Sequence, residues 1–160
     1  MEQLLLLRHA DAENVARSDK ARQLTEKGRE QARHVGRFCE EHKICPEVIL
    51  ASPYARTDET ARIVAARLKV EMITANFLAP GMSPSTALEE LHAYSRFRSV
   101  MLVGHEPDTS HLAAALLGVA GADALHVRKA TLIGLDVSSL QPGAVQARLD
   151  FFLPVKLMSS

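Results

Sequence analysis

A three-layer α/β/α sandwich, built on a mainly parallel central sheet and closed by a C-terminal β-hairpin, is the architecture to expect from this chain. Three observations lead there. Short apolar runs alternate with segments whose apolar residues recur at helical spacing, the signature of strands alternating with helices. The run LLLL, Leu4 to Leu7, is apolar at every position, as a strand covered on both faces must be. From Ala124 onward the alternation stops: ATLIGLDV and AVQARLDFF are joined by SSLQPG alone, a hairpin signal with Pro142-Gly143 in the turn.

The first strand is expected from Gln3 to Leu7, and a polar stretch, RHADAENVARSDKARQ, follows it. Thr25 then caps a helix from Glu26 to about His42, with Ala32, Val35 and Phe38 on its apolar face and Gly28 in its first turn. PEVILASP is a second strand ending at Ser52-Pro53. YARTDETARIVAARL is the next helix, with Ala61, Val64, Ala65 and Leu68 on one side. VEMITANFL is a weaker third strand, LAPGMSPS a loop, and Ser85 the expected cap of a helix through ALEELHAYS. SVMLV is a strand ending at Gly104-His105, and a helix beginning near Asp108 or Thr109 stops between Gly118 and Gly121.

A chain of 160 residues fits a single domain, 1–160, able to bury roughly 70% of the surface its unfolded form exposes. Lysine plus arginine and aspartate plus glutamate each total 19, so no global field recruits nucleic acid or an anionic membrane, and anion binding has to be local. MEQLLLL lacks a basic flank, and its apolar run is shorter than the ~7–15 residues of a signal-peptide core. The expectation is a cytoplasmic protein whose two cysteines, Cys39 and Cys45, are reduced thiols.

Ligands of such sheets bind beyond the carboxyl ends of the strands. That rule selects Arg8-His9, the stretch Ser52 to Arg56, and Gly104-His105. Arginine offers a planar fork of donors matched to phosphate oxygens, and a neutral histidine can attack phosphorus through one ring nitrogen. The chemistry expected of this set is phosphoryl transfer to histidine and then to water. His34, His42, His92, His111 and His126 lie on predicted helices or before the hairpin, where solvated or core roles suffice. No cysteine or carboxylate stands at metal-ligand spacing beside His9 or His105, and neighbouring arginines oppose a cation.

Three motifs in this order match a family. LLLLRHADAE resembles the RHG signature of the histidine phosphatase superfamily, SPYART its SPxxRA motif, and LVGHEP its later GH motif. The RHxDAE opening, RQLTEKGREQA and the GHEPD turn look most like the SixA-type phosphohistidine phosphatases. The resemblance implies a phosphoglycerate mutase-like fold, His9 as the transiently phosphorylated nucleophile, Arg8 and Arg56 as phosphate-binding arginines, and His105 as the second pocket histidine. It implies neither a metal nor an organic cofactor. The implied partner is a phosphohistidine-bearing protein, such as a histidine-phosphotransfer domain or a phosphotransferase-system carrier, which short connections and an open pocket would admit.

Two departures stand out. Ala10 replaces the signature glycine, harmless unless the site needs positive φ there. TANFLAPG offers no glutamate where many relatives carry a general acid, leaving Asp11, Asp19 and Glu106 as candidates, with Arg22 as a further phosphate or partner contact. A phosphohistidine substrate tolerates weak acid help, because a protonated imidazole leaves phosphorus far more readily than an alkoxide. A small-molecule phosphomonoesterase and an inactive phosphohistidine-binding module are the alternatives.

Overall fold

In the computed structural model, which describes residues 1–141 and 146–158, the four leucines divide between two cores. They lie in β1 (Gln3–Arg8), where successive side chains point to opposite faces of the sheet. Leu4 and Leu6 join one buried cluster, Leu5 and Leu7 the other, and none is more than 2% exposed. Each contributes about 1.5–3 kcal/mol by leaving water.

The sheet has six strands: β1, β2 (Val48–Ala51), β3 (Glu71–Thr74), β4 (Ser99–Gly104), β5 (Leu132–Ser139) and β6 (Gln146–Leu153). Their order is β3-β2-β4-β1-β5-β6. The pairs β1–β4, β2–β4 and β2–β3 are parallel, while β1–β5 and β5–β6 are antiparallel. The C-terminal hairpin is therefore present as a strand pair, although the expected Pro142-Gly143 turn lies outside the described residues. Helices α1 (Glu26–Glu41) and α2 (Ala55–Leu68) cover one face through Ala32, Val35, Ala61 and Val64. Helices α3 (Pro84–Leu91) and α4 (Asp108–Leu117) cover the other through Leu88, Leu91, Leu112 and Leu116. Among the described residues no helix is long and apolar enough to cross a membrane.

Thr25 caps α1 as expected, its hydroxyl accepting from Gly28 N. The α3 cap is Ser83 rather than Ser85, because Pro84 fits the first helical position, where its missing N–H costs nothing. The third strand is shorter than VEMITANFL: after Thr74 the chain turns into a 3₁₀ turn over Asn76–Leu78. Gly28 matters more than its place in a first turn implies. A Cβ there would stand 2.0 Å from the carbonyl oxygen of Asp11, so α1 can press against the loop leaving β1 only with glycine at this point. Gly28→Ala should cost about 1–3 kcal/mol of stability by overpacking, read from the midpoint of urea unfolding. An unchanged midpoint would show that helix and loop separate freely.

Candidate active site

The order β2-β4-β1 brings the three selected strand ends side by side, and backbone hydrogen bonds carry the register past them. His9 N donates to Gly104 O (3.0 Å) and Ser52 N to Val103 O (3.1 Å). Arg8 stands opposite Gly104, and Arg56 enters from the first turn of α2. Residues separated by nearly a hundred positions thus meet at one edge, with the His9 and His105 ring centroids 5.6 Å apart.

Each ring is fixed by one hydrogen bond. His9 Nδ1 lies 2.7 Å from the carbonyl oxygen of Ala10, which can only accept, so Nδ1 carries the proton and Nε2 keeps its lone pair. Burial, with Arg56, Arg8 and His105 adding to it, pushes the His9 pKa down to about 3, overriding the opposing effect of the Ala10 bond. His105 Nε2 lies 2.8 Å from Ser52 Oγ, which also accepts from Tyr54 N at 3.3 Å. In the tautomer where Ser52 Oγ donates its one proton to the His105 Nε2 lone pair, the imidazole proton stands on Nδ1 and can be donated to an acceptor in the site. Burial, followed by Arg56, lowers the His105 pKa to about 4. Both imidazoles are neutral at pH 7.

Arg8 Nη1 donates to Val127 O (2.9 Å), which ties the strand end to the segment before β5. Arg56 donates from Nη1 to Asp19 O (2.9 Å) and from Nη2 to Asp19 Oδ2 (3.2 Å), and its guanidinium lies 5.2 Å from the Tyr54 ring centre. Neither arginine is saturated. Four buried side-chain polar atoms lack a partner among the described residues, and three of them are Arg8 Nε, Arg56 Nε and His105 Nδ1. An unsatisfied buried donor costs about 1–3 kcal/mol, so three in one place form a site built to receive acceptors.

The carboxylates expected as acids are otherwise engaged. Asp11 accepts from Thr25 Oγ1 (2.6 Å) and Lys129 Nζ (2.9 Å), and these bonds, Thr25 first, hold its pKa below the usual range. It fastens the β1 loop to α1. Asp19 pairs with Arg22 (3.0 Å) and Arg56, and those contacts lower its pKa. Glu106 accepts from Ser110 N (2.8 Å) and Ser110 Oγ (2.5 Å), at the start of α4. Arg22 donates to Glu13 O (2.5 Å) and to Asp19, the carboxylate that also pairs with Arg56, and so braces the loop after β1. Ala10 is buried with ordinary negative φ. The residue with positive φ near the site is Ala130 (56°), whose N–H donates to His9 O (3.1 Å). Ser52 falls in the stretch the strand-end rule selects, but its contact with His105 is a long-range pairing that the sequence does not assign.

Comparison with known proteins gives the family. The model of the histidine phosphatase superfamily (branch 1) matches residues 4–79. A phosphohistidine phosphatase SixA homolog of Haemophilus influenzae is 30% identical over 126 residues, covering 72% of this chain and 77% of its own. This chain belongs to the histidine phosphatase superfamily. Within that superfamily, Escherichia coli phosphohistidine phosphatase SixA is 28% identical over 120 residues, covering 71% of this chain and 73% of its own. A crystal structure of an Agrobacterium tumefaciens protein provisionally assigned as SixA superposes with a TM-score of 0.81 at 27% identity, over 96% of this chain and 98% of that one. The protein histidine phosphatase SixA complexed with tungstate shares the superfamily fold at a TM-score of 0.87 and 20% identity, over 98% of this chain and 99% of that one.

Proposed function

We propose that this protein removes phosphate from phosphohistidine on another protein, through a covalent intermediate on His9. The observation that carries the proposal is the cluster of partnerless donors, Arg8 Nε, Arg56 Nε and His105 Nδ1, around a neutral His9. A phosphoryl group supplies the acceptors they lack. The His9 Nε2 lone pair forms the new N–P bond as the substrate's N–P bond breaks, and the substrate imidazole, already carrying on its other ring nitrogen a proton taken from water, leaves as the neutral ring. Water then attacks phosphorus, the bond to His9 breaks, and phosphate departs with His9 restored. The two arginines and His105 offset charge growing on the equatorial oxygens, each donor contributing about 10²–10³ in rate.

The engagement of Asp11, Asp19 and Glu106 in other contacts supports a substrate whose leaving group needs little acid help. The chemistry proposed runs without a metal, since two arginines already supply the positive charge. The likeness to proteins named phosphohistidine phosphatase supports the same substrate class. The test compares a histidine-phosphorylated phosphotransfer domain with sugar phosphates. Rapid release from the former and near inertness toward the latter is expected. The reverse order would make the protein a small-molecule phosphomonoesterase.

A further inference from the structure

We infer that a cationic groove beside the phosphate pocket docks acidic residues flanking the phosphohistidine of the substrate protein, an inference that rests on the function proposed above. The groove is a cavity of about 460 Å³, lined by five cations, Arg8, Lys27, Arg128, Lys129 and Lys156, against one carboxylate, Asp11. In a chain whose charges balance at 19 and 19, that is a strong local excess. Asp11 offsets only one of these charges, that of Lys129, with which it pairs at 2.9 Å, so four cations outnumber it. Lys27, Arg128 and Lys156 are exposed and form no ion pair among the described residues.

Two features join the groove to the chemistry. Arg8 belongs to both, lining the groove while its Nε is one of the partnerless donors. The wall that carries Arg128 and Lys129 is fastened to the catalytic strand, because Val127 O accepts from Arg8 Nη1 and Ala130 N donates to His9 O. A phosphoryl group at His9 therefore leaves its neighbours in sequence against this wall.

The cations come from four separate segments: the end of β1, the first turn of α1, the stretch before β5, and the stretch after β6. Such an array suits several carboxylates spread along a polypeptide better than one compact anion, for which a converging fork is the usual solution. The cavity is also several times larger than one phosphate group requires. Carboxylates of a docking segment fit both its size and its charge.

The experiment uses two synthetic peptides, each with a single phosphohistidine, flanked in one by Asp and Glu and in the other by Asn and Gln. The wild-type chain should hydrolyse the acidic peptide with about 10-fold higher kcat/KM at low salt, and the preference should shrink at about 0.5 M NaCl. The charge-reversed K27E/K156E protein should lose the preference while hydrolysing the neutral peptide at the wild-type rate, which also shows that it folds. Equal kcat/KM for the two peptides in the wild type, or a preference that survives in K27E/K156E, would overturn the groove alone. Failure to hydrolyse either peptide, with a small phosphomonoester still turned over, would remove the phosphohistidine reading and this inference with it.

Discussion

His9→Ala should abolish turnover, with a loss of about 10⁴-fold or more, the scale seen when a covalent nucleophile is removed from an otherwise intact site. Radiolabel from a phosphohistidine substrate should be trapped on the wild-type protein after rapid acid-free denaturation and be absent from the variant. The tautomer argument adds a pH signature. With Nδ1 committed to Ala10 O and the pKa near 3, His9 keeps its lone pair far below the usual histidine midpoint. Nitrogen chemical shifts of His9 should therefore report neutral imidazole down to about pH 5, and kcat/KM should show no loss from His9 protonation near 6.5. The same shifts affect stability. Between pH 6.5 and the depressed pKa values of about 3 for His9 and about 4 for His105, the unfolded chain binds protons that the folded chain refuses. Stability from these groups is thus fully present above pH 6.5 and falls as the pH drops through that window. A protonation midpoint near 6.5 for His9 in the folded protein, or equal turnover by His9→Ala, would remove it as nucleophile.

How far the chain announces this site depends on which interactions are local. The all-apolar Leu4–Leu7 run marks a strand buried on both faces, and the Thr25 cap marks a helix start, because both follow from neighbouring residues. Arg8, His9, Arg56 and His105 are visible because strand ends in such sheets are privileged positions. That β4 inserts between β1 and β2 is what makes them adjacent, and this is a long-range pairing that no local pattern encodes. The contacts of Asp11 and Glu106 are illegible for the same reason: their partners Lys129 and Ser110 are settled by the fold and by a helix start. Ser83 and Ser85 are chemically equal caps, and only the geometry of Pro84 decides between them. The groove is the least legible feature, since Lys27, Arg128 and Lys156 are unremarkable lysines and arginines until three distant segments meet.

Arg56→Ala should lower turnover about 10²–10³-fold and weaken vanadate binding in parallel, the loss associated with one donor to transition-state charge. Two roles have to be separated in this residue. Its Nη atoms hold the loop after β1 through Asp19, with one bond to the backbone oxygen and one to the carboxylate, whereas its Nε has no partner and is the atom the phosphoryl group would engage. Asp19→Ala breaks the carboxylate contact and leaves the guanidinium in place. Its side chain is 58% exposed, so the pair contributes at most about 1 kcal/mol through solvent-screened charge, and a modest effect on turnover is expected. If Asp19→Ala matches the full loss of Arg56→Ala, then Arg56 acts by anchoring the loop and leaves the phosphate site. Arg56→Lys discriminates further. It restores the positive charge but presents a compact ammonium in place of a planar fork, so it should recover part of the vanadate affinity and little of the rate. Complete rescue by lysine would mean that charge alone matters at this position. Failure of both measurements to change in Arg56→Ala would leave Arg8 and His105 as the only protein donors to the phosphoryl group.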